Sequence, residues 1–284
     1  MNTLKIAQIS DTHLGASVES TTAATRKVID YIDTVLRPDF VVHTGDVQVI
    51  DPDSAADRNH AHGLLSGLRT PYRVLPGNHD IGEPAEHAWQ GQVVTSERVE
   101  AFTNVFGPAQ WRVDVGEVTL LGLNSELFGS GIDEEAQQWE WIEETVAGIG
   151  SERPVLLFQH KPIWTVVENS DHNLDIRESG ALLLEHLERV NLKSVGTGHL
   201  HCFRTKQRGG ALEVWAPSTA FMAGAGDLGL GDPVTQQLGI VEYTIEGGNV
   251  RAELLRVPGV DDALMTELED VKASVEAVLA ASAK

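Results

Sequence analysis

The chain has 284 residues and a formal charge of −21, from 42 acidic against 21 basic residues, with 42 % hydrophobic content. That length and apolar fraction support a substantial core, and the acidic excess argues against a surface for a nucleic-acid polymer. A lone cysteine, Cys202, excludes an intrachain disulfide. With no apolar run of about 18 residues and no leader-like N-terminus, a cytoplasmic protein without a membrane partner is the expectation.

Residues 4–9 read as a short apolar strand that runs into Ser10-Asp11-Thr12-His13. In an extended segment residues two apart share a face, so Asp11 and His13 can reach one ion together. A helix is expected over 21–36, with Val28, Ile29, Ile32, Val35 and Leu36 as its apolar stripe, ended by Arg37-Pro38-Asp39. Residues 40–43 form the second strand and Thr44-Gly45-Asp46 its turn. Asp51-Pro52-Asp53 opens a second helix to about Leu68, and a third strand at 72–75 delivers Pro76-Gly77-Asn78-His79-Asp80. The pattern is βαβαβ with polar residues at the C-terminal ends of the strands, where open α/β sheets place their sites.

Residues 81–110 are expected to be an irregular insertion over one side of the site. A hairpin follows, 111–115 with 118–123, and Asn124 after it reads either as support for the cluster or as a turn former. Asp133 caps a helix to about Val146, and the strand 154–158 ends in Gln159-His160-Lys161-Pro162. Residues 168–175 look like a second covering loop, with His172 as a candidate substrate contact. A helix over 178–190 and a strand over 192–195 lead to Gly198-His199-Leu200-His201. The last third reads as antiparallel β-structure, with strands near 203–205, 212–215, 238–244 and 250–257 and a Gly-rich loop over 222–232. The expected organisation is one domain over 1–258 and an Ala-rich helical tail over 259–284.

The candidate chemistry lies in Asp11, His13, Asp46, Asn78, His79, His160, His199 and His201, which come from five separate turns that each follow an apolar run. Imidazole, carboxylate and amide oxygen without thiolate suit Mn, Fe or Zn. The donors are too many for one ion, and two ions sharing a carboxylate would use them. The ordered set D-x-H, G-D, G-N-H-D, H, G-H-x-H resembles the calcineurin-like metallophosphoesterase superfamily, from Asp11 to His201.

That resemblance implies an α/β (α+β) fold, a two-sheet β-sandwich flanked by helices in four αββα layers. It implies that Asp11, His13 and His201 hold one metal, that Asn78, His160 and His199 hold the other, and that Asp46 bridges them. His79 would face the substrate as phosphate contact or general acid, beside Asn78, and Asp80 is expected to support that proton transfer. The implied activity is hydrolysis of a small anionic phosphoester by a hydroxide between two metals. The segments 81–84, 123–125 and 137–139 lean toward phosphomonoesters, with cyclic-nucleotide or glycerophospho-type diesters as the alternative. A non-catalytic scaffold of the same fold is the competing class, and the complete ligand set speaks against it. His43 is expected to support the ligands rather than to be one, and His60, His62 and His186 fall in helical patterns.

Overall fold

The computed structural model describes residues 3–86, 88–168, 170, 172–223 and 235–282. Strand β1 (Leu4–Ile9) is mostly apolar and buried from Ile6 on because it lies at the centre of a five-stranded sheet. On one side β2 (Phe40–His43) runs parallel to it, followed by β3 (Tyr72–Val74); on the other β10 (Ile240–Glu246) and β11 (Asn249–Leu255) run antiparallel in succession. A second sheet has six strands, in the order β4 (Trp111–Val115), β5 (Val118–Gly122), β6 (Pro154–Phe158), β7 (Asn191–Thr197), β9 (Ala211–Trp215) and β8 (Arg204–Arg208). Strands β5, β6, β7 and β9 are parallel in turn.

Period-two alternation sorts the strand residues into layers. Ile6, Phe40, Val42, Leu156, Phe158 and Tyr243 point between the sheets and form their shared core. Their neighbours point outward: Ala7, Ile9 and Val41 meet helices on one face, and Val155 and Leu157 meet helices on the other. Full burial of a side chain of this kind is worth about 1.5–3 kcal/mol. The first face is covered by α1 (Glu19–Tyr31), α2 (Ala55–Leu65) and α4 (Ser96–Phe106), which comes after a one-turn helix α3 (Asn78–Ile81). The second face is covered by α5 (Asp133–Ala147) and α6 (Ser179–Leu187). The result is the expected four-layer αββα sandwich. Buried Gln8 stitches the layers together, donating to Thr44 Oγ1 at 2.8 Å and to the Thr197 carbonyl at 3.2 Å, and accepting from the Tyr243 hydroxyl at 2.6 Å.

Two expectations change. The helix expected over 21–36 starts at Glu19 and winds its last turn, Ile32–Leu36, as a π-helix that closes from Arg37 N–H to the Ile32 carbonyl at 2.8 Å. Pro38 cannot continue a helix, and Arg37 turns out of it at φ 48°. The insertion over 81–110 is not wholly irregular, because it contains α4, capped by the Thr95 side chain and anchored by buried Val99 and Phe102. The C-terminal helix α7 (Glu269–Ser282) is firmly seated: Val271 is fully buried, and Asp270 accepts from Ser20 N–H and Oγ–H at 2.8 and 2.7 Å. From Gly224 on, the Gly-rich loop expected over 222–232 lies outside the described residues. Among the described residues no helix is long and apolar enough to cross a membrane.

Candidate metal centre

Parallel strands in register bring their C-terminal ends to one edge, and the candidate residues sit in the turns just beyond. The ladder persists past the strands: Asp11 N–H donates to the Gly45 carbonyl at 3.0 Å and His13 N–H to the Asp46 carbonyl at 3.0 Å. In the second sheet Gly198 N–H reaches the His160 carbonyl at 2.9 Å, and His199 N–H bridges the sandwich to both Asp11 carboxylate oxygens at 3.2 Å. Asp11, His13, Asp46, His199 and His201 all have φ between 44° and 67°, a region non-glycine residues rarely occupy. The turns therefore hold these side chains in strained poses that only the surrounding sheet can maintain. Gly77 must be glycine, since a Cβ there would collide with Asp46 Oδ1 and backbone nitrogen.

Two groups of donors result. Asp11, His13, Asp46 and His201 have ligand atoms all within 4.8 Å of one another, and so do Asp46, His160 and His199. Asn78 joins the second group, its Oδ1 lying 3.2 Å from His160 Nε2. The chemistry of the donors fits a metal. His13, His160 and His201 each turn Nδ1 to a backbone carbonyl, of Val49, Thr44 and Phe221, at 3.0, 2.8 and 2.7 Å. A carbonyl only accepts, so Nδ1 carries the hydrogen and the Nε2 lone pair faces inward. Those lone pairs then meet other lone pairs: His13 and His201 Nε2 are 3.0 Å apart, and His160 Nε2 faces Asp46 Oδ2 at 3.3 Å. His199 is set the other way round, with Nε2 against the Asn173 carbonyl at 3.1 Å, which leaves Nδ1 for the site. Converging electron pairs of this kind need a cation among them.

Without metal, protons take that place. Burial opposes charging of His160, yet the adjacent Asp46 carboxylate outweighs it and lifts the imidazole to about 10. His201 is raised too, against burial, by Asp11. Burial and then the His201 charge hold His13 down to about 3, so one ring of that pair carries the proton and the other does not. Asp11 falls to about 2 although burial pushes it up, because His201 stands beside it.

His79 lies half-buried at the cavity, its N–H donating to Asp46 Oδ1 at 2.9 Å and its ring 5.7 Å from that of Trp89. Among the described residues its Nδ1 has no hydrogen-bond partner. Asp80 was expected to act beside this imidazole, and the structure corrects that placement. The carboxylate is fully buried and accepts from Val47, Gln48 and Gly77 N–H at 3.1, 2.8 and 2.8 Å, tying the Asp46 turn to α3. Burial, and then repulsion from Asp46, raise it to about 7. His172 is exposed at the cavity rim, and its neighbour Asn173 donates to the Glu86 carbonyl at 2.6 Å, joining the two covering loops. Asn124 proves a turn former, its Oδ1 accepting from Glu126 N–H at 3.1 Å. His43 faces Thr12 Oγ1 at 2.9 Å and Gly45 N–H at 3.2 Å, buttressing the first two ligand turns. His60, His62 and His186 pack against Thr22, Phe106 and Trp139.

Sequence reasoning missed a buried ion cluster next to the ligands. Lys161 follows His160 and places Nζ 2.7 Å from Glu83 Oε2 and 2.8 Å from Glu126 Oε2. The Glu83 contact is an aligned hydrogen bond, whereas Glu126 Oε2 makes an ion contact without that alignment. Glu83 Oε1 also accepts from Trp89 N–H at 2.7 Å. The only signal in the sequence was a lysine directly after a strand-end histidine, with nothing to reveal its partners.

The ligands floor a cavity of about 730 Å³. A slightly larger one, about 810 Å³, opens near Leu4, Val118, Pro154 and Gly247, where the donor groups found among the described residues are absent.

Comparison with known proteins bears on this arrangement. Serine/threonine-protein phosphatase CPPED1 of Danio rerio is 32 % identical over 180 residues, 58 % of this chain and 54 % of that protein, so the chain spans about half the length of that relative. The 3',5'-cyclic adenosine monophosphate phosphodiesterase CpdA of Pseudomonas aeruginosa is 27 % identical over 237 residues, 79 % of this chain and 80 % of that one. The crystal structure of a dimetal phosphatase from Danio rerio superposes with a TM-score of 0.58 at 11 % identity, covering 89 % of this chain and 99 % of the other, a likeness of fold. The family model for calcineurin-like phosphoesterases matches residues 4–203, a span that starts at β1 and takes in every residue of both donor groups. The protein belongs to the calcineurin-like phosphoesterase family.

Proposed function

We propose that this protein hydrolyses phosphate esters with two metal ions, one held by Asp11, His13 and His201, the other by Asn78, His160 and His199, with Asp46 between them. The place of Asp46 carries the reading. Its carboxylate belongs to both donor groups, with Oδ2 3.3 Å from His160 Nε2 and 4.0 Å from His13 Nε2. The nitrogen and oxygen donor set, free of thiolate, suits Mn, Fe or Zn.

Bound there, two ions would supply Lewis acidity to the phosphoryl oxygens and water activation at neutral pH. The chain's own groups do the rest. Backbone carbonyls lock three ligand imidazoles, so that their lone pairs are aimed before substrate arrives. His79 is fixed through its backbone to Asp46, and its ring stands at the cavity to give a proton to the leaving oxygen. The covering loops, joined at Asn173 and Glu86, form one side of the cavity over the ligands.

Phosphomonoesters are the first substrate class, in keeping with the phosphatase among the relatives; cyclic-nucleotide diesters, named for CpdA, are the second. The test is hydrolysis of p-nitrophenyl phosphate against bis-p-nitrophenyl phosphate by protein loaded with Mn, Fe or Zn, beside a chelated control. Turnover of neither ester with any metal would sink the hydrolase reading. In parallel, Asp46→Asn should disturb both metals, and two ions still tightly bound by elemental analysis would contradict the shared carboxylate.

A further inference from the structure

The cavity over the metal centre has two unlike halves. Its floor includes the donors His13, Asp46, Asn78, His199 and His201. Its wall includes apolar Ile50, Trp89, Phe221, Met265, Val275 and Leu279, with polar Gln90, His172 and Asn173 on the side of the covering loops. Of the apolar six, Met265, Val275 and Leu279 belong to the C-terminal segment, where α7 sets residues 271, 275 and 279 along one face at a spacing of four. Val271 is fully buried, and Leu279 is 37 % exposed at the rim. The wall is anchored: Ser20 pins the start of α7 through Asp270, and Met222 N–H bonds the Ala263 carbonyl at 2.8 Å. Trp89 is held by Glu83, which is held in turn by Lys161.

Among the described residues that line the cavity there is no lysine or arginine, and the formal charges are the carboxylates of Asp46 and Glu83. A phosphoryl group at the floor therefore leaves the rest of its ester beside the α7 side of the wall, which is apolar and, among the described residues, carries no lysine or arginine. A second phosphate or a carboxylate on that part would be desolvated unpaired, which is costly. An aryl or alkyl group would gain by burial. We infer that this chamber is the subsite for the alcohol part of the substrate and that it selects phosphate esters of uncharged, apolar alcohols. The inference rests on the phosphoester-hydrolase reading and adds the substrate class to it.

Binding of non-hydrolysable phosphonates tests it apart from turnover. Titrated into metal-loaded protein in a calorimeter, phenylphosphonate should bind at least about tenfold tighter than methylphosphonate, the phenyl group being buried against the wall. Val275→Glu should erase most of that preference while metal content stays at the wild-type level. Val275→Ser is the milder companion should the glutamate variant not fold, and should cut the preference severalfold. In kinetics, Val275→Glu should raise KM for phenyl phosphate and lower its kcat little. Equal affinity for the two phosphonates, a preference untouched by either variant, or glycerol 2-phosphate cleaved as efficiently as phenyl phosphate would overturn the subsite and leave the hydrolase reading standing. Cleavage of no ester, with neither phosphonate bound, would overturn both.

Discussion

Lys161→Met removes one buried charge and leaves two of the opposite sign. Lys161 is 2 % exposed, and its partners Glu83 and Glu126 are 4 % and 0 % exposed. Methionine keeps much of the stem and takes away the ammonium, so the cost is electrostatic more than steric. Breaking a buried pair by removing one partner costs about 3–5 kcal/mol. Protonation of a carboxylate relieves part of that cost, which gives the effect a pH dependence of known sign. Burial raises the Glu126 carboxyl above its ordinary 4.5, and Lys161 is the leading group that opposes the rise. Without the lysine it rises further. A carboxyl raised on folding binds more protons in the native than in the unfolded state, so its contribution is present below the unfolded value and lost as pH climbs through the folded one. The variant should therefore be least destabilised near pH 5 and most destabilised near pH 8. Urea denaturation with chelator in both samples, followed by tryptophan fluorescence, measures the difference without a metal contribution. Adding Glu126→Gln should recover a large part of the loss at pH 8. A loss under about 1 kcal/mol at pH 8, or one that ignores pH, would refute the account of the cluster.

Gly77→Ala should cost about 1–3 kcal/mol by overpacking and lower metal occupancy, because the added Cβ meets Asp46 and lies 2.8 Å from His160 Cε1; thermal melting and elemental analysis check it, and wild-type values in both would contradict the close approach. His79→Ala should keep its metals and lose about 10²–10⁴ in kcat, whereas loss of metal would show that the ring does something other than proton transfer. Cys202 is fully buried, and burial pushes its thiol up to about 12. It should resist Ellman reagent at pH 8 until denaturant is added, and prompt labelling of native protein would contradict the packing.

The ligand turns were legible because each follows directly on an apolar strand, and parallel strands in register carry their ends to one edge without help from distant residues. What depended on distance was not legible. Lys161 meets Glu83 across 78 positions of sequence, and no local pattern announces that pairing. Asp80 looked catalytic because it follows His79, but the pair opens a helical turn, where successive side chains diverge by roughly 100°. Adjacency in the chain thus sent one residue to the cavity and the other beneath the Asp46 turn. Helix α4 was hidden by a sparse apolar face, Val99, Phe102 and Phe106 among polar neighbours. The packing of α7 over the cavity had no signature beyond a spacing of four that serves any surface helix.

The neighbour relation between β1 and β10 has a consequence for how the chain is made. β1 leaves the ribosome well before β10, the strand that pairs with one of its edges and follows about 230 residues later. At a synthesis rate of about 5–20 residues per second, that edge stands open for roughly 10–50 s. Through that time a buried apolar strand with unpaired N–H and C=O groups is available to any other nascent chain. The donor turn at Asp11 and His13, which leans on Ser218 through a 2.7 Å bond from the serine hydroxyl to the Asp11 carbonyl, waits nearly as long for that support. Metal capture at these turns should therefore follow release of β10, and a shortage of holdase chaperones should show itself in this protein as aggregates seeded by β1.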